Sequence, residues 1–161
     1  MALDADSGEI AAFDLTDKDV GDASHVEPLL DQLADAPASF LADGAYDRSA
    51  VLDAVLTRNP NASFIVPPRK GAVPGPTVAT APTQRDLHVL AIDAYGRSSW
   101  QKAAGHNRRA KIEAATSRCK RVIGDTLKSR DDARRVTEVA IAVKSLNRMR
   151  DLGQAICVRV A

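Results

Sequence analysis

The sequence predicts an α/β fold in its first half followed by an all-helical portion. Three observations carry this: short apolar runs alternate with helix-period stretches up to residue 66, a proline-rich segment follows, and helical spacing dominates after it. The chain has 161 residues, enough for one domain with a real core. Residues 1–161 read as a single domain, with a strand and helix part (1–66), a loop (67–82) and a helical part (83–161).

Residues 2–5 have the character of the tail of a strand. Asp6-Ser7-Gly8 is a turn signal, and residues 10–15 alternate as a returning strand. An acidic connection, 14–22, leads to Ser24, a predicted N-cap for a helix with Val26, Leu29, Leu30 and Leu33 on one face. Pro28 lies in its first turns, and Pro37 ends it. Residues 39–42 read as a buried strand that exits at Asp43-Gly44. Asp47 is the predicted cap of a second helix with Val51, Leu52, Val55 and Leu56 inward; Asn59-Pro60-Asn61 closes it, and residues 63–66 form another buried strand. The loop 67–82 holds five of the eight prolines. Helices are then predicted over 86–104, weakened at Gly96, over 107–123, ended by Gly124, and over 131–149; residues 155–160 read as a short strand or extended tail.

Composition excludes several classes. No run of about 18 apolar residues exists for a membrane span, and the acidic start MALDADSGEI lacks the basic and apolar regions of a signal peptide. Cys119 and Cys157 have no CxxC partner, so two reduced thiols are expected. The net charge of +1 hides an asymmetry: residues 1–55 carry −11 and residues 56–161 carry +12. A basic half beside an acidic one points to a polyanion for the first and to cations or an internal partner for the second, although solvated helix faces would give the same charges.

At about 100° per residue, a helix over 107–123 puts Arg109, Glu113, Lys120 and, just before it, His106 on one stripe beside an arc of Ile112, Ala115, Cys119, Val122 and Ile123. Glu113 is the only acid between Asp93 and Asp125. Two readings fit: an exposed Arg109–Glu113 pair of minor energetic value, or a carboxylate that holds a cation among phosphate-binding neighbours. A Mg²⁺ site needs a further carboxylate, and Asp43 is the best placed, at a strand exit where open α/β sheets take ligands. Gly44 would leave room for a close approach. Asp43 also fits as a plain turn-starter. Asp4 ends a strand as well, within what looks like an ordinary hairpin turn.

These residues resemble a family. His106-Asn-Arg-Arg109-Ala-Lys-Ile-Glu113, then six residues and Lys120, is similar to the Y-x2-R-x3-E-x6-K signature of bacterial insertion-sequence transposases of the DDE class. Leu41-Ala-Asp43-Gly-Ala-Tyr46-Asp resembles the segment with that family's second aspartate, and Phe64-Ile-Val-Pro-Pro-Arg-Lys70 its strand and loop between the two sites. Trp100, Gly124, Leu146-Asn-Arg-Met149 and Leu152-Gly153 fit its C-terminal pattern, and the N-terminal LDADSGEIAAFDLTDKDVGDAS resembles the hairpin after the first catalytic strand.

The resemblance implies an RNase H-like mixed sheet flanked by helices, with Asp43 and Glu113 as the second and third metal-binding carboxylates of a two-Mg²⁺ centre. It implies that Arg109, Lys120 and His106 serve DNA, His106 standing where the signature has tyrosine. The partners implied are transposon ends and target DNA, with a homodimer possible and a cytoplasmic, nucleoid-associated location. The family's first aspartate, on an upstream strand in an Asp-Ser-Thr context, and its DNA-recognition region have no counterpart in these residues, and Asp4 is open as a substitute. An N-terminally truncated sheet lacking its first strand is therefore expected, with exposed edges on the strands ending at Ala5 and Asp43. Weak or no transposition by this polypeptide alone is expected too. The alternative is a non-catalytic DNA-binding or regulatory remnant.

Overall fold

The computed structural model describes residues 1–16, 19–122, 124 and 126–153. The chain divides into two compact units, one of Met1–Leu15 with Lys111–Ala161 and one of Thr16–Ala110. The proline-rich segment 67–82 therefore lies within the second unit.

In the first unit, β1 (Ala2–Leu3) and β2 (Ile10–Ala12) form an antiparallel hairpin. Asp4 closes its turn by accepting from the Asp6 N–H at 2.9 Å and the Ser7 hydroxyl at 2.6 Å. The long helix α6 (Asp132–Asp151) is capped by Asp131, which accepts the Arg134 N–H at 3.1 Å, and lays Val143 and Leu146 against Ile10. Leu3, Phe13, Cys119 and Val139 complete that small core. Val136, expected on the apolar face of this helix, is exposed. The predicted strand or tail at 155–160 lies outside the described residues.

The second unit is a β-α-β arrangement. β3 (Ser39–Leu41) and β4 (Ser63–Ile65) pair in parallel, in register Ser39 with Ser63 through Leu41 with Ile65, and α2 (Ser49–Arg58) crosses between them. The spacing of Val51, Leu52 and Val55 turns one face of α2 onto Phe64, Val66, Ala42 and Ala62, and α1 (Val26–Leu30) adds Val26 and Leu30. Phe40 stacks on Phe64 with ring centroids 5.7 Å apart. Each described strand pair is its own two-stranded sheet, so the single sheet expected from the sequence is not what forms among the described residues.

Several local expectations are corrected. Ser24 does not cap α1; it sits in a 3-10 turn (Asp22–His25) and its hydroxyl donates to the Gly21 carbonyl at 2.6 Å. Asp47 does not cap α2, whose N-cap is Arg48 with no side-chain bond. The helix predicted over 86–104 is two: α3 (Gln84–Tyr95) and α4 (Arg97–Ala103), broken at Gly96 with φ 81° and ψ 154°, a conformation essentially reserved for glycine. Thr83 starts α3 with a reciprocal capping box to Asp86.

Gly105 (φ 70°) follows α4 and the chain restarts in a 3-10 turn, His106–Arg109, before α5 (Ala110–Val122). His106 and Arg109 therefore precede the α-helix, and the four-residue stripe computed for one continuous helix does not form.

Candidate functional site

The site is built on the carboxyl end of β3. Ala42 continues the strand pairing, donating its N–H to the Ile65 carbonyl at 3.4 Å, and the next residue, Asp43, leaves the sheet. Asp43 caps a 3-10 turn (Gly44–Tyr46): its Oδ1 accepts the Ala45 N–H at 2.8 Å. Its other oxygen, Oδ2, faces Arg109 Nη1 at 3.6 Å, with the two side chains 48% and 34% exposed. The Asp43 carboxylate is thus half-exposed, with one oxygen engaged by the backbone and the other paired with a guanidinium. Tyr46 follows in the same turn. Burial raises its hydroxyl pKa, and the nearby negative charges of Asp22 and Asp43 add to the rise.

Gly44 has a different explanation from the one expected. A Cβ there would meet the Pro67 carbonyl oxygen at 3.2 Å, so the close approach belongs to the loop after β4.

The signature segment reaches the same strand end. His106 is 7% exposed, and its Nε2 lies 3.1 Å from the Ala42 carbonyl oxygen. Two stretches singled out in the sequence, around Asp43 and around His106 to Arg109, are thus joined by an ion pair and a hydrogen bond across more than sixty residues of chain. Glu113 lies in the first turn of α5, where a negative charge is favoured by the helix dipole, and Lys120 lies in its last turn; both are exposed. Asp4 uses its carboxylate on the hairpin turn. No group of three or more His, Cys, Asp or Glu able to hold a metal gathers among the described residues.

Three residues have contacts not expected from the sequence. Asp47, expected as a cap, is a buried carboxylate that accepts Arg85 Nε–H at 2.6 Å and the Arg69 N–H at 3.0 Å. This fixes the loop after β4. Trp100 and His88 pack together beside His106, with ring centroids 5.2 Å apart for His88–Trp100 and 5.6 Å for Trp100–His106. Nothing in the spacing of these three residues announces their contact.

An α/β chain with an acidic strand exit and an arginine-rich run leading into a basic helix is the kind of protein expected to act on a polyanion. Comparison with protein families makes this specific: residues 1–148 match the family described as the transposase DDE domain. The chain belongs to that family, that of insertion-sequence DDE transposases, and its role lies in DNA transposition. No curated protein and no solved structure matches it. No helix among the described residues is long and apolar enough to cross a membrane.

Proposed function

We propose that this chain supplies two carboxylates, Asp43 and Glu113, to the divalent-metal centre of an RNase H-like transposase catalytic domain. The observation that carries the reading is the Arg109–Asp43 pair, which brings the signature arginine to the aspartate at the exit of β3. In this reading residues 1–161 are one partial catalytic domain. The partners are transposon ends and target DNA, and the protein works in the cytoplasm at the nucleoid.

The bound ions, Mg²⁺ in the cell, supply activation of the attacking oxygen and stabilisation of the leaving one. The chain's own residues do the rest. Asp43 offers its outward oxygen while the Ala45 N–H holds the inward one. Arg109 balances the carboxylate charge before the ion arrives and turns to a DNA phosphate afterwards, and Lys120 neutralises backbone charge along α5. The site takes a third acid, which is not assigned among these residues, so weak or no strand transfer is expected of the 161-residue polypeptide by itself.

Mn²⁺ titration of this polypeptide, followed by electron spin resonance, tests the assignment. Asp43→Asn and Glu113→Gln are each expected to weaken binding by at least about tenfold, as loss of one charged ligand should. Mn²⁺ binding identical in the parent and both variants would sink the metal assignment. Unchanged, salt-sensitive DNA binding alongside it would favour the non-catalytic remnant. Robust Mg²⁺-dependent strand transfer by the polypeptide alone would overturn the requirement for a third acid.

A further inference from the structure

We propose that His106 is a positioning residue for the Asp43 carboxylate, acting through the Ala42 carbonyl that its ring holds one peptide upstream. The inference rests on the reading of Asp43 as a metal-binding acid.

A carbonyl oxygen only accepts, so the Nε2 that lies 3.1 Å from it carries the hydrogen and donates. Ala42 is 8% exposed, and its carbonyl lies past the last pair of the β3–β4 ladder, where no strand among the described residues reaches it. Leaving such a carbonyl unpaired is costly, so the imidazole bond fixes the plane of the peptide joining Ala42 to Asp43. Downstream, the Ala45 N–H fixes one carboxylate oxygen. The aspartate is thus held on both sides, and the direction of its other oxygen, the one facing Arg109, is set by the fold.

The ring is itself immobilised. Trp100, 4% exposed, packs against His106 with the rings 38° apart, and His88 packs on Trp100 at 62°. Burial lowers the pKa of His88, and the backbone of Val66, the residue after β4, acts against that lowering. One indole therefore packs against two imidazoles. A buried ring engaged with a backbone carbonyl is placed to orient an acid and not to meet DNA.

The test uses the 161-residue chain. Amide exchange at Ala45, measured by NMR, reports the Asp43 turn without any metal. His106→Phe keeps a ring against Trp100 but has no donor; it is expected to speed Ala45 exchange by about five-fold and to weaken Mn²⁺ binding by a similar factor. His106→Gln, whose amide can donate in the place of Nε2, is expected to restore both toward the parent. Ala45 exchange unchanged by His106→Phe would overturn the proposal. So would loss of Mn²⁺ binding in both variants with Ala45 exchange intact, which would make His106 a ligand. If the phenylalanine variant does not fold, the parent decides: long-range proton–nitrogen spectra should show His106 with its proton on Nε2, and a proton on Nδ1 instead refutes the hold. Mn²⁺ binding indifferent to Asp43→Asn counts against the metal reading alone, and Ala45 exchange still judges His106.

Discussion

Asp47 and Arg85 form a buried ion pair, with Nε 2.6 Å and Nη2 3.2 Å from the two carboxylate oxygens and the Asp47 side chain only 2% exposed. The same carboxylate accepts the Arg69 N–H, and Arg85 donates onward to the Val73 carbonyl at 3.3 Å. The proline-rich segment is thus tied to the start of α2 and the first turn of α3 through one acid. Such segments lack a ladder of their own, so side-chain anchors decide their shape.

Removing that acid leaves the Arg69 amide without its acceptor and the Arg85 guanidinium with only the Val73 carbonyl. Asp47→Ala is expected to destabilise the second unit by about 3–5 kcal/mol, because breaking one partner of a buried pair strands the other. Asp47→Asn keeps an acceptor and should cost less. Urea unfolding followed by the fluorescence of Trp100, the sole tryptophan, measures both. A loss under about 1 kcal/mol for the alanine variant would reduce the pair to a surface contact.

Elements governed by neighbours in sequence were legible in it. The hairpin turn at Asp6-Ser7-Gly8 and the inward face of Val51, Leu52 and Val55 form as their local chemistry dictates. What was illegible depends on partners far along the chain. Asp47 has the right type for a cap, but Arg85 lies 38 residues away and claims it. Gly96 costs a helix only about 1 kcal/mol, too little to predict a break. The break follows from what α4 gains, with Trp100 buried and Arg97 donating to the Pro68 carbonyl at 2.7 Å. The Arg109–Asp43 pair was not anticipated, since no periodicity links positions so far apart and the local reading paired Arg109 with Glu113.

Each unit also carries a carboxylate whose ionisation supports its fold. Asp86 accepts the Gly75 N–H at 2.7 Å, the Thr83 N–H at 2.9 Å and the Thr83 hydroxyl at 2.8 Å, and these bonds hold its carboxyl below the usual range. Glu138 is held low in the same way by the Lys128 and Ser129 N–H groups. A carboxyl lowered in the folded state stabilises above its unfolded pKa, near 4, and that support fades as pH falls through the lower folded value. Stability should therefore be level from neutral pH to about pH 5 and decline below about pH 4. Asp86→Asn and Glu138→Gln should each lose stability at neutral pH, with the gap to the parent closing in acid. A gap of equal size at both ends of the range would refute the role of ionisation.

The outer edge of each two-stranded sheet is met by a side-chain amide. Gln84 accepts the Phe64 N–H at 2.8 Å and donates to the Ala62 carbonyl at 2.8 Å, beside β4. Asn147, from α6, accepts the Ile10 N–H at 3.0 Å and donates to the Ile10 carbonyl at 3.0 Å, beside β2. A carboxamide has both a donor and an acceptor, so it pairs with an edge as a short strand would. Asn147→Asp keeps shape but sets a carboxylate oxygen against the Ile10 carbonyl, with no donor left. With Ile10 3% exposed, the cost is expected at about 1–3 kcal/mol, the penalty for an unsatisfied buried group. It should shrink in acid, where the aspartate regains a hydrogen to donate. Exchange of the Ile10 amide and thermal unfolding at pH 7 and pH 3.5 measure it. If Asn147→Asp unfolds like the parent at neutral pH, the donated bond contributes nothing to the hold of α6 on the hairpin.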